Sequence, residues 1–155
     1  CNGLQNMWNN YPNNEVLGYL TPTGQLLVTD IQPLTGGSAR GLYKYTDGAG
    51  TVTYYYTYPM NLGAPALTYP GMTNNGVNYF IPVVASVHTH TPCRTDGTDG
   101  VSHDVGPEDA SLAANHPGLR NWVIGCDAIA TFSSASTSFQ NVQSGPLSTN
   151  CASIQ

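Results

Sequence analysis

Residues 81–92 read Ile81-Pro82-Val83-Val84-Ala85-Ser86-Val87-His88-Thr89-His90-Thr91-Pro92. The run up to Val87 is apolar and rich in β-branched residues, which predicts a buried strand leading into His88. Side chains two apart on a strand point to the same face. His88 and His90 therefore project together from the end of a core strand, and two imidazoles on one face are half of a tetrahedral zinc site. Three of the four histidines (His88, His90, His103) lie between residues 88 and 109, with five of the nine carboxylates: Asp96, Asp99, Asp104, Glu108 and Asp109. A chain with so few charges has gathered its metal-ligating chemistry in one stretch.

Downstream, Gly106-Pro107-Glu108-Asp109-Ala110-Ser111-Leu112-Ala113-Ala114-Asn115 predicts a helix over 107–116. Pro107 suits the first helical position, and acids in the first turn suit the helix dipole. A helix starting beside the strand end presents Asp109 to the two histidines as a third ligand. His116, before Pro117-Gly118, reads as a helix cap rather than a ligand. Upstream, Glu15-Val16-Leu17-Gly18-Tyr19-Leu20 opens a strand with a carboxylate. A lone Glu there is ordinarily a solvated strand end; beside a His pair it becomes a candidate general base.

These pieces together resemble the JAMM (JAB/MPN-type) zinc peptidase family. The resemblance rests on Glu15 on an early strand, His88-Thr89-His90, and Gly106-Pro107-Glu108-Asp109 at a helix start. It spans residues 3 to 132 and is similar to bacterial JAB domains of secreted or toxin-like proteins. It implies an α+β fold, a curved mixed sheet flanked by helices, in the layering shared with cytidine deaminases. It also implies zinc held by His88, His90 and Asp109, with Glu15 as the proton carrier. Thr91 separates His90 from Pro92, and Gly106 stands where the family has an oxyanion-holding Ser. Gly106 offers only its backbone N–H, and Ser102, His103 or Asp104 are auxiliary candidates. The implied activity is hydrolysis of a peptide or isopeptide bond in a peptide or protein substrate. The alternative is a weakly active or inactive module of an extracellular assembly, packed against copies of itself or a filament neighbour. A fourth protein ligand such as His103 or Asp104 would favour that structural role.

Asp96, Asp99 and Asp104 also invite a calcium ion, since hard cations take oxygen ligands. They do not follow the spaced EF-hand pattern, and a solvated acidic loop is the plainer reading. Zinc deaminase and His-Glu-x-x-His patterns are absent.

The chain has 155 residues, four Lys plus Arg against nine Asp plus Glu, and only 8% charged residues. That length is one domain with a core of its own, residues 1–155. An acidic, charge-poor surface argues against nucleic acid, which needs basic patches. No apolar run is long enough for a transmembrane helix. Low charge with many Tyr, Thr and Asn predicts an extracellular, cell-surface or periplasmic protein. Cys1, Cys93, Cys126 and Cys151 allow three pairings. Chain termini often lie close together, which favours Cys1–Cys151 and leaves Cys93–Cys126. Free thiols in a reducing compartment, or an acylated Cys1, are the alternatives.

The remaining elements follow from pattern. Leu4, Met7 and Trp8 share a helical face over 3–10. Strands over 15–20 and 25–31 form a hairpin across Thr21-Pro22-Thr23-Gly24. Strands over 41–45 and 51–58 form another across Asp47-Gly48-Ala49-Gly50, with Tyr54, Tyr56 and Tyr58 on one face. Residues 59–78 read as a long loop with a short strand at 66–69. Strands over 121–126 and 128–132 precede a Ser/Thr-rich tail, 133–155, holding one further strand at 138–142.

Overall fold

The computed structural model describes residues 1–31, 41–91, 107–135 and 138–154. The expected α+β class holds: three helices accompany two open sheets.

Helix α1 (Asn2–Asn10) buries Leu4 and Met7 and packs Trp8 against the same cluster. That is the amphipathic face its spacing predicts. Strand β1 (Val16–Leu20) returns through the Thr21–Gly24 turn into β2 (Leu26–Ile31). Their register slips between Leu17 and Gly18. A Cβ on Gly18 would lie 3.0 Å from the Leu27 carbonyl oxygen, so the slip needs a glycine for close backbone approach.

Strands β3 (Leu42–Thr46) and β4 (Val52–Pro59) form the second hairpin. The 66–69 strand does not form; the short strand of this region is β5 (Thr73–Asn74). Next come β6 (Asn78–Val83) and β7 (Ala85–Thr89). The run that reads as one strand into His88 is thus divided at Val84, which is 45% exposed. Strand β6 pairs with β4 and β5, whereas β7 pairs with β1 and β8. One apolar run therefore links a four-stranded sheet, order β3-β4-β6-β5, to a six-stranded sheet, order β10-β9-β8-β7-β1-β2.

Helix α2 (Pro107–Asn115) lies between β7 and the parallel strand β8 (Arg120–Ile124). A parallel pair needs such a crossover connection. Strand β9 (Ala128–Phe132) follows, then β10 (Gln140–Ser144), two residues later than the pattern predicts. The tail ends in helix α3 (Leu147–Asn150) and a 3-10 turn. Leu147, Cys151 and Ile154 are buried, and Cys1 is bonded to Cys151, as expected.

Alternation along the large sheet sorts its residues. Val16, Leu20, Val87 and Ile124 face α1 and the C-terminal helix. Leu17, Tyr19 and His88 share the opposite face by register. There Tyr54, Val83 and Leu119 pack on Leu17 and Tyr19, while Leu112 and Ala113 of α2 pack with Val123 and Phe132. The Tyr54/Tyr56/Tyr58 face is therefore core-facing, as a tyrosine ladder most often is.

Candidate metal centre

His88 sits in β7 with Leu17 of β1 on one side and Val123 of β8 on the other. A strand flanked on both sides holds its side chains in fixed positions. The next residue is pinned too: the Val16 N–H donates to the Thr89 hydroxyl at 2.9 Å. His90 follows the strand and donates its backbone N–H to the Ile124 carbonyl at 2.8 Å.

The two imidazoles converge, with Nε2 atoms 3.2 Å apart. Asp109, in the first turn of α2, brings Oδ1 to 3.3 Å from His88 Nε2. One ligand atom from each of the three residues lies within 4.8 Å of the others. Two ligands about 2.05 Å from a zinc ion at tetrahedral angles stand roughly 3.3 Å apart. The donor set and its spacing therefore fit a single small divalent ion.

Protonation agrees with that fit. His88 is buried, and burial pushes its pKa down to about 4. Its imidazole is neutral at neutral pH, the form that ligates a metal. An aromatic wall orients the pair. The Phe132 ring meets His88 edge-on at 5.4 Å, the Phe139 ring meets His90 at 5.7 Å, and the two phenyl rings contact each other at 6.1 Å. Sequence reading missed this wall. Phe139 was visible as the one aromatic residue of the Ser/Thr-rich tail, but nothing in the sequence ties it to His90.

Glu15 is partly buried and immediately precedes β1. The β1–β7 register pairs Leu17 with His88. Leu17 and His88 are the last paired positions of that register, and Glu15 lies two residues beyond them on the chain that leads into β1. The Thr91 hydroxyl donates to the Asn14 carbonyl.

His116 stands apart from this cluster, as the sequence predicts. Its Nδ1 lies 2.8 Å from the Leu112 carbonyl oxygen at the end of α2. Cys126 is disulfide-bonded and its sulfur sits 3.9 Å from the His90 carbonyl oxygen. Its expected partner Cys93 lies outside the described residues. So do Gly106, Ser102, His103 and Asp104, and the calcium candidates Asp96 and Asp99.

No protein-family model, curated protein or solved structure matches the chain. No helix among the described residues is long and apolar enough to cross a membrane.

Proposed function

We propose that this chain is a zinc-dependent hydrolase of peptide or isopeptide bonds, of the JAMM type, acting on a peptide or protein substrate outside the cytoplasm. The observation that carries the reading is the convergence of His88, His90 and Asp109 at 3.2 and 3.3 Å; Glu15, the residue before β1, is the carboxylate proposed as the base. A purely structural zinc site has no use for a neighbouring base. The Cys1–Cys151 disulfide supports an oxidising compartment.

His88, His90 and Asp109 would hold the zinc. When bound, the ion lowers the pKa of a coordinated water and polarises the substrate carbonyl. Glu15 accepts the water's proton and delivers it to the leaving amine, the work of a positioned carboxylate near neutral pH. The Phe132 and Phe139 rings exclude water behind the imidazoles and fix their orientation.

Position 106 favours a second reading. Glycine there lacks the hydroxyl of the family's Ser, and loss of one oxyanion donor costs on the order of a hundred- to a thousandfold in rate. On that reading the domain binds zinc but serves as a weakly active or inactive module of an extracellular assembly.

Elemental mass spectrometry decides the first point. About one zinc per chain, lost in both His88→Ala and Asp109→Asn, is expected for a three-ligand site. Absence of zinc uptake by folded protein refutes the metal centre. A peptidase assay decides the second: Glu15→Gln retains zinc and loses activity by about a hundredfold or more. Zinc bound in wild type with no hydrolysis leaves the assembly module standing.

A further inference from the structure

The hairpin from β5 to β6 turns through Asn75-Gly76-Val77, so it carries an asparagine followed directly by glycine. Gly76 has a φ of +86°, a left-handed turn position that glycine takes without strain. Asn74, Asn75, Gly76 and Val77 are all exposed. The Asn75 backbone N–H donates to the Asn78 carbonyl at 3.1 Å and closes the loop.

The Asn75 side chain is folded back onto this turn. Its Oδ1 accepts from the Val77 N–H at 3.0 Å and from the Asn78 N–H at 2.8 Å. Two backbone donors on one amide oxygen draw electrons from Cγ, and both distances fall in the range of about 2.7–3.1 Å that an oxyanion hole uses in acyl transfer. The neighbouring Gly76 N–H points to a different oxygen, Asn74 Oδ1, at 3.2 Å. Glycine has no Cβ to shield that nitrogen. A polarised amide carbon and an unhindered peptide nitrogen are thus adjacent in the chain.

We propose that Asn75 is a self-modification site, at which the side-chain amide becomes a carboxyl group by way of a cyclic imide. The Gly76 nitrogen forms a bond to Asn75 Cγ and gives up its proton to solvent. The negative charge that develops on Oδ1 is held by the Val77 and Asn78 N–H groups. The bond from Cγ to the side-chain nitrogen then breaks, and that nitrogen takes up a proton and leaves as ammonia. Water adds to one of the two imide carbonyls, and the ring opens to aspartate or isoaspartate. The aspartate product suits the turn, because its carboxylate accepts the same two N–H groups in charge-assisted bonds. The isoaspartate product adds a methylene to the backbone of a closed loop.

A second Asn-Gly pair is an internal control. Asn2-Gly3 opens α1, and the imide ring would force its backbone out of the helical ψ of about −42°. Peptide mapping by mass spectrometry tests the proposal, on the folded chain and on the same chain in concentrated urea, both incubated at mildly alkaline pH. In the folded chain Asn75 gains the mass of an acid in place of an amide while Asn2 stays intact; in urea both convert. Val77→Pro removes one of the two donors to Oδ1 and slows conversion of Asn75 by about tenfold or more in the folded chain. Asn75→Asp supplies the aspartate standard and retains the wild-type melting temperature. An Asn75 that stays intact in the folded chain while it converts in urea overturns the proposal. So does conversion of Asn2 ahead of Asn75 in the folded chain, or an unchanged rate in a folded Val77→Pro.

Discussion

Acidifying the metal-free protein from pH 7 to pH 4 will expose the cost of burying His88. The group's pKa is about 4 in the fold against an ordinary 6.5. Between those values the unfolded chain binds a proton that the folded chain refuses. A depressed base therefore contributes its full share of stability above pH 6.5, and that share is lost as pH falls toward 4. The linkage relation gives a loss near 2 kcal/mol by pH 5 and near 3 kcal/mol by pH 4, as order-of-magnitude figures. Asp109, with its carboxylate 3.3 Å away, favours the protonated imidazole and makes those values upper bounds. Other groups titrate in the same range, so the quantity to measure is a difference. Urea unfolding of wild type and His88→Gln, both stripped of metal, should be followed from pH 7.5 to 4. Wild type loses stability relative to the variant as pH drops, with the steepest change between pH 6.5 and 4. Parallel curves would refute the claim that His88 is held neutral by burial.

Two further outcomes follow from the core. Cys1–Cys151 closes a loop across a sequence separation of 150. The chain-entropy relation assigns it about 5 kcal/mol, so Cys1→Ala/Cys151→Ala should lower the unfolding free energy by several kcal/mol in denaturant titration; an unchanged midpoint would show that the tail docks without the bond. The Tyr19 hydroxyl is fully buried with no hydrogen-bond partner among the described residues, and burial, with Tyr56 and Asp30 adding to it, pushes its pKa above the ordinary phenol range. Tyr19→Phe removes an unsatisfied polar group and should stabilise the protein by about 1 kcal/mol, measured by thermal unfolding, whereas a loss of stability would mean that the hydroxyl has a partner.

Local chemistry was legible in the sequence, and long-range registration was not. The same-face projection of His88 and His90 follows from strand periodicity. Asp109's place follows from Pro107 and the acids of a first helical turn. Both could be read because they depend on neighbours within a few residues. The division of the apolar run at Val84 could not be read. Ile81 and Val83 before the break and Ala85 and Val87 after it are all buried, so hydrophobicity is continuous across a point where the backbone changes sheets; only the exposure of Val84 records it. Glu15 was legible as a candidate by type, but that its strand lies beside the His88 strand depends on pairing between residues some 70 apart. Phe132 and Phe139 were legible as apolar and β-compatible. Their edge-on contacts with the imidazoles are a property of the strand order β10-β9-β8-β7, which local pattern does not encode.

The way His88, His90 and Asp109 are held suits an ion that binds a preformed fold rather than one that supports the fold. Small domains folded by zinc place most of their ordering energy in the metal bonds and unfold without them. Here the strand that carries His88 is already braced by Leu17 and Val123. The clusters built on Val16, Val87 and Ile124, and on Val123 and Phe132, bury apolar surface independently of any ion. A bound zinc ion would then add only its binding linkage, about 2.7 kcal/mol when free zinc is a hundredfold above its Kd. Chelation with EDTA should therefore leave the circular dichroism spectrum intact and lower the melting temperature by a zinc-concentration-dependent amount; on the proposed hydrolase reading it also abolishes hydrolysis. Unfolding on chelation at room temperature would mean that the ion supports the fold itself, and the structural module would become the better account.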